Sequence, residues 1–203
     1  MLNTPEIATS RLKLRKFTLE DVEAFYLVMR DKEVNTFLPL FPLKNRDEAK
    51  QHLDKNYLKT YENTMGFRYA LCLRHDNIPI GYVNVAEDDS HDLGYGLRKE
   101  YWNQGFITEA CNAVIQKLKA TSIPYITATH DINNPASGRV MKKIGMTYRY
   151  SYREQWQPKN LPVIFRMYQL NLVRRDEPTY MHYWNINPVH YIEENIQHCP
   201  RQA

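Results

Sequence analysis

Apolar positions change their spacing several times along this chain, and each change predicts an element. Arg11–Lys16 alternates, as a strand does. Val22, Phe25, Tyr26 and Met29 then recur at helical spacing behind Thr18, with Asp21 in capping-box register. Pro39 and Pro42 break the apolar loop Phe37-Leu38-Pro39-Leu40-Phe41-Pro42, and Asn45 with Glu48 starts a second helix predicted to reach about Tyr61. Phe67–Arg74 and Ile78–Glu87 read as a hairpin around Asp76-Asn77, followed by a strand over Asp92–Leu97. An amphipathic helix over Ile107–Thr121 and a short buried strand over Pro124–His130 come next. Met146–Trp156 and Pro162–Asn171 close as a hairpin across Pro158-Lys159-Asn160. The pattern predicts an α/β (α+β) class fold with a mixed, mainly antiparallel sheet flanked by helices.

The junction Glu100-Tyr101-Trp102-Asn103-Gln104-Gly105-Phe106-Ile107-Thr108-Glu109-Ala110 carries the first chemical signal. A strand that turns through a glycine into a helix start leaves several backbone N–H groups unpaired and pointing one way. With the positive end of the helix dipole behind them, they form a cradle for a diphosphate. A side chain at Gly105 would hold an anion away from that backbone.

A second segment, Asn134-Pro135-Ala136-Ser137-Gly138-Arg139-Val140-Met141-Lys142-Lys143-Ile144-Gly145-Met146, marks both ends of a short helix. Asn134 suits the N-cap, Pro135 the first helical position and Gly145 the left-handed residue after the end. Val140, Met141 and Ile144 give the helix one buried face. The two segments together resemble the GNAT family of acyl-CoA-dependent N-acyltransferases. The Tyr-Trp-x-x-Gly-Phe-x-Thr-Glu-Ala and Asn-Pro-Ala-Ser wording is most similar to the RimJ/RimL-like branch, named after the ribosomal-protein N-terminal acetyltransferases. The resemblance runs from about Arg11 to Leu172, so it implies a single acyltransferase domain over residues 1–172 with an extension over 173–203. One departure stands out: the family's Gln/Arg-x-x-Gly-x-Gly/Ala loop reads here as Trp102-x-x-Gly105-x-Ile107.

Composition narrows the setting. The chain has 203 residues, enough for one domain with a sizeable core, and no apolar run long enough to span a bilayer. Its start has neither the basic nor the apolar region of a signal peptide. Three cysteines, Cys72, Cys111 and Cys199, have no metal-ligand spacing. The first two fall in apolar-patterned elements, which suits buried thiols in the reducing cytoplasm. A net charge of +4 suits a ligand with several phosphates and is too small to argue for nucleic acid.

The resemblance implies acetyl-CoA as cosubstrate, without a metal, and an amine as acceptor. In the family the sheet splays open around the pantetheine arm, here between Gly94–Leu97, including Tyr95 and Gly96, and Ile126–His130. It further implies that Trp102, Asn103 and the backbone N–H groups of Gln104, Gly105, Phe106, Ile107 and Thr108 surround the diphosphate. Asn134 is expected at the pantetheine arm and Arg139 or Lys142 at the adenosine phosphate. A lysine-like amine of pKa ~10.4 is only about one part in 10³ to 10⁴ neutral at pH 7, a deficit of roughly 4–5 kcal/mol, so the site needs a base. Candidates are Asp92, which opens its strand, its neighbour His91, Glu87 at the end of the preceding strand and His130 at the end of the strand before Asn134. A water-only route is the alternative. For the thiolate leaving group, Ser137 is expected to donate a hydrogen bond to sulfur, the place a helix Tyr fills elsewhere in the family.

Residues 173–203 are dense in aromatic and His side chains: Tyr180, His182, Tyr183, Trp184, His190, Tyr191 and His198. They offer an acceptor-pocket wall, a homodimer contact or plain packing on the core. Their His spacing fits no metal site. Two other functional classes compete with the enzyme. A CoA-binding sensor would keep Gly105 and Asn134 but need no base. A nucleotide-phosphate binder unrelated to CoA would explain the glycine turn and leave Asn134–Met146 unexplained.

Overall fold

The computed structural model describes residues 3–63, 65–194 and 196, so His198 and Cys199 lie outside the described residues. Its first sheet orders five strands as β1 (Ile7–Ala8), β2 (Leu12–Arg15), β3 (Phe67–Leu73), β4 (Pro79–Val85) and β5 (Leu93–Leu97), every neighbouring pair antiparallel. The two-residue β1 has no alternation to announce it; its backbone is recruited by β2.

Two helices cover one face of this sheet. α1 (Val22–Met29) follows a 3₁₀ turn over Leu19–Asp21, and Asp21 explains that start. Its carboxylate accepts the Thr18 N–H at 2.8 Å and pairs with Arg15 at 2.7 Å, tying the turn to β2. α2 (Arg46–Leu53) is capped as expected, the Asn45 side chain accepting the Glu48 N–H at 2.9 Å. Beyond Leu53 the helix widens into a π turn over Asp54–Leu58 and tightens into a 3₁₀ turn over Lys59–Glu62. Phe17, Phe25, Tyr57, Ala70, Cys72 and Tyr82 are among the buried residues joining this layer to the sheet.

The opposite face carries α3 (Phe106–Leu118), which stops three residues short of Thr121; the Thr121 hydroxyl donates to the Leu118 carbonyl at 2.6 Å. Ala110, Cys111, Val114, Ile115 and Leu118 meet Leu12, Leu14, Tyr69, Leu71 and Val83 in the main core. Each large aliphatic buried there contributes about 1.5–3 kcal/mol. α4 (Pro135–Lys143) adds Met141 to the same core, with Ile144 just beyond its end. Gly145 follows with φ +87°, the left-handed stop its sequence anticipated.

The second sheet orders β6 (Tyr125–Asp131), β8 (Leu161–Asn171), β7 (Thr147–Trp156) and β9 (His190–Tyr191), again antiparallel throughout. The sheet expected to splay divides into these two, and among the described residues their one ladder contact is the parallel bridge between Asp92 and Thr127. Between β8 and β9 a short helix, α5 (His182–Ile186), lies against β7. The second core is aromatic: Tyr150, Tyr152 and Phe165 meet Tyr180, Tyr183 and Trp184.

Candidate active site

The bridge at Asp92 is the apex of a fork. β5 bonds β4 along one edge, while beyond Asp92 its other edge has no strand partner among the described residues. The Thr127 hydroxyl secures the apex by donating to the Ser90 carbonyl at 2.8 Å. A cleft of about 1000 Å³ opens there, and Gly94, Tyr95, Gly96 and Leu97 line it. Strand alternation puts Asp92, Gly94 and Gly96 on the α1–α2 side and Leu93, Tyr95 and Leu97 on the α3–α4 side. Gly96 is required by close approach, since a Cβ there would lie 2.5 Å from a Tyr82 ring carbon.

The turn after β5 is built as a cradle. Gly105 holds φ +80° at the start of α3, and a Cβ there would meet only the Arg11 guanidinium, at 3.6 Å. The first helical N–H returned to a carbonyl is that of Glu109, to Gly105 at 3.0 Å. The N–H groups of Phe106, Ile107 and Thr108 thus precede the helical ladder, with the dipole behind them. Trp102 braces the turn through its indole N–H to the Leu97 carbonyl (2.8 Å), and the Gln104 side chain donates to Glu100 O (2.9 Å). Asn103, Gly105, Phe106, Ile107 and Thr108 line the cleft, whereas Gln104 does not.

Arg11 underlies all of this. Its guanidinium donates to the Gln104 carbonyl (2.9 Å) and Glu109 (2.7 Å) and covers the Phe106 ring at 4.3 Å. Nothing in its local sequence singles Arg11 out; Glu109 in the Thr-Glu-Ala wording was the only trace of the brace.

On α4 the Asn134 side chain accepts the Ser137 N–H at 3.3 Å and caps the helix, leaving its amide NH₂ for the cleft it lines. Arg139 and Lys143, four residues apart on one helix stripe, line the cleft; Lys142 is turned out of that stripe and does not.

Ser137 and Tyr95 meet across the fork. Their hydroxyls are 2.9 Å apart, and Tyr95 Oη also lies 3.1 Å from the Ser137 carbonyl. Burial pushes the Tyr95 phenol well above its ordinary range, so it keeps its proton. In the sequence Tyr95 stood out only for its strand backbone. The apolar company of Leu93 and Leu97 was the available hint that its side chain faces the helices.

Asp92 lies on the other face of the same strand. The residue is half-buried, but its Oδ1 is shut off from solvent with no partner among the described residues. Burial, reinforced by Asp88, pushes its pKa up to about 7 against a weaker pull from the Thr127 hydroxyl. His130 also lines the cleft but is buried, its ring 5.6 Å from that of Tyr168 and its Nε2 where a Cβ on Gly138 would come within 2.6 Å. Burial lowers its pKa, so it packs as a neutral ring beneath α4. Glu87 and His91 line a separate surface pocket, with Glu87 accepting from Asn63 at 2.9 Å.

On the α1–α2 side of the cleft the β7–β8 turn is tied to the loop around Thr36, which lines it. Lys159, at the β7–β8 turn, donates to the Asn35 and Thr36 carbonyls, the latter at 3.1 Å, and sits 5.5 Å from the Trp156 ring centre. The C-terminal segment supplies another wall: Tyr183 of α5 stacks on Tyr152 at 5.2 Å and lines the cleft. Glu193 pins this segment down, accepting from Arg166 at 2.6 and 2.9 Å. His190 is held by the Asn187 carbonyl at 2.7 Å and stacks near Trp184. Among the described residues no group of three His, Cys, Asp or Glu is placed to hold a metal ion, and no helix is long and apolar enough to cross a membrane.

A forked sheet whose free strand runs into a glycine-started helix offers an extended, phosphate-bearing ligand a strand edge and an anion cradle. Comparison with known proteins agrees. The acetyltransferase (GNAT) domain model matches residues 11–147, and the chain belongs to this family. It is 30% identical over 144 residues to the uncharacterized N-acetyltransferase YnaD of Bacillus subtilis (strain 168), covering 69% of this chain and 81% of that protein. The fold is similar to that of a GNAT-family acetyltransferase from Bacillus anthracis, with TM-score 0.72 and 23% identity over 82% of this chain and 98% of that one. It is also similar to RimL, a ribosomal-protein α-N acetyltransferase solved in complex with coenzyme A. That match has TM-score 0.72 and 17% identity over 83% of this chain and 98% of that one.

Proposed function

We propose that this acetyltransferase moves an acetyl group from acetyl-CoA to a small primary amine by direct attack, with Asp92 as base and the Tyr95–Ser137 pair as proton donor. Bound in the fork, acetyl-CoA supplies an activated acetyl thioester. The free N–H groups of Phe106, Ile107 and Thr108 suit its diphosphate, Arg139 and Lys143 its outer phosphate, and the unpaired edge of β5 its pantetheine arm. An N–H on that edge also offers a donor to the carbonyl oxygen as charge develops there.

The observation that carries the reading is the placement of acid and base on opposite faces of one strand. Asp92, with a pKa of about 7, takes the proton from the acceptor ammonium on the α1–α2 side. Tyr95 and Ser137 hold a proton for the departing thiolate on the α3–α4 side. A sensor without turnover would have no use for a carboxyl so tuned. His130 serves to seat α4 rather than to move protons.

The tie from Lys159 to the loop around Thr36, which fixes that loop beside the cleft, supports a small amine over a protein N-terminus, which needs an open groove. In this reading residues 1–172 form the transferase domain and the extension completes the acceptor wall through Tyr183. The buried free thiols of Cys72 and Cys111 suit the cytoplasm. The test is free-thiol release from acetyl-CoA with a panel of small amines, by the wild type and Asp92→Asn. Release that depends on an amine and falls in the variant supports the assignment. Amine-dependent release equal in both would remove Asp92 as base.

A further inference from the structure

The acceptor side of the cleft holds an anionic side chain that no neighbouring cation neutralises. Glu154 lies on β7 between Tyr152 and Trp156; the two-residue repeat of a strand gives the three one face, and all line the cleft. Glu154 is half-buried and has no ion-pair partner within 4 Å among the described residues. Burial raises its pKa with no hydrogen bond or cation pulling it back. Of the cations around the cleft, Lys159 is turned to the Asn35 and Thr36 carbonyls, and Arg68 faces Glu87 at 3.6 Å.

Aromatic residues flank Glu154 along this face of β7. Phe165 packs 5.6 Å from Tyr152 and 5.4 Å from Trp156, and Tyr183 stacks on Tyr152 from the far side. An unpaired carboxylate on an aromatic wall suits an organic ammonium, since the carboxylate supplies charge-assisted hydrogen bonds and the wall an apolar flank for the carbon chain. Tyr152 also relates the two carboxylates, its hydroxyl lying within electrostatic reach of both Glu154 and Asp92. Both carboxylates line the same cleft, so an acceptor with two ammonium groups finds a carboxylate for each.

We propose that Glu154 binds a second ammonium of the acceptor, so that the preferred substrate is a small aliphatic diamine. One amine goes to Asp92 and the other is held by Glu154. This inference rests on the acetyltransferase reading above.

The test compares 1,5-diaminopentane with pentylamine, equal in length and different in one charge. Steady-state acetylation is measured for wild type and Glu154→Gln, together with calorimetric titration of each amine into CoA-saturated protein. The expected result is a diamine to monoamine ratio of kcat/KM of about tenfold or more in the wild type, falling toward one in Glu154→Gln. Diamine binding to the CoA complex should weaken in parallel. Equal use of both amines by the wild type, a ratio unchanged in the variant, or neither amine bound or acetylated would each overturn the inference. A separate acetyl-CoA titration distinguishes the two levels: binding without diamine preference removes only the inference, and no binding removes the acetyltransferase reading.

Discussion

Ser137 Oγ stands 2.9 Å from the Tyr95 hydroxyl, joining the first turn of α4 to the middle of the free strand. Each group positions the other, and in the proposed reaction one of their protons goes to the departing thiolate. Ser137→Ala and Tyr95→Phe should each lower kcat by about 10²-fold while leaving acetyl-CoA affinity within a few-fold. Because they act as one unit, the double variant should lose little more than either single one. Steady-state kinetics on the four proteins measures this, and multiplicative losses would show that the two hydroxyls act separately.

Gly105 separates backbone geometry from charge. Gly105→Ala puts a Cβ at φ +80° with only ordinary contact to Arg11, so its cost is conformational, about 1–2 kcal/mol. Acetyl-CoA affinity should fall less than tenfold. Gly105→Glu adds a negative charge at the positive end of α3 and should weaken binding by at least about 10²-fold. Calorimetry on both variants checks the order; equal losses would mean that the diphosphate lies elsewhere.

The helix ends and the cradle could be read before the structure because their signals are local. Asn134, Pro135 and Gly145 bound α4, and Gly105 marks a positive φ, through properties of single residues and near neighbours. Asp92 could be nominated from its place at the start of a strand. Its raised pKa could not, because that depends on the shape of the fork and on Asp88. The pairing of Tyr95 with Ser137 spans 42 positions, and the stacking of Tyr183 on Tyr152 crosses from the extension to β7. Such contacts leave no periodic trace. Lys142 and Lys143 differed by a single step around a helix whose orientation toward the cleft is set by packing.

Glu109 should matter to both stability and binding. Its carboxylate accepts from Thr9 and Ser10 hydroxyls, the Arg11 N–H and the Arg11 guanidinium. Burial alone would raise its pKa, but the bonds from Thr9, Arg11 and Ser10 outweigh it and hold the carboxyl below its usual range. A lowered folded pKa means stability that is present above the unfolded value and lost as pH falls through the folded one. Glu109→Gln should therefore cost about 1–3 kcal/mol at pH 7, with the gap closing below about pH 4. Urea unfolding at the two pH values tests the sign. Acetyl-CoA affinity should weaken as well, because Arg11 loses the partner that holds it against the turn.

Asp92 carries the opposite sign, which sets activity against stability at one residue. Its pKa is raised to about 7, so the unfolded chain releases this proton at lower pH than the folded one. Between about pH 4 and 7 the folded state binds more protons than the unfolded state, and stability contributed by this group falls as pH rises, then levels off above 7. Asp92→Asn removes the titration. The variant should gain stability relative to the wild type across that window and hold the gain above it. Its activity should change the other way, with kcat/KM falling by about 10²–10⁴-fold. The wild-type profile of kcat/KM should show a rising shoulder near pH 7, separate from the acceptor amine's own ionisation near ~10 and absent in the variant. Thermal unfolding and kinetics over the same pH series measure both effects. An advantage of the variant over the wild type no larger above pH 7 than below pH 4 would show that Asp92 is not the enclosed, ionising carboxyl at the fork. A shoulder persisting in the variant would move the base to another residue.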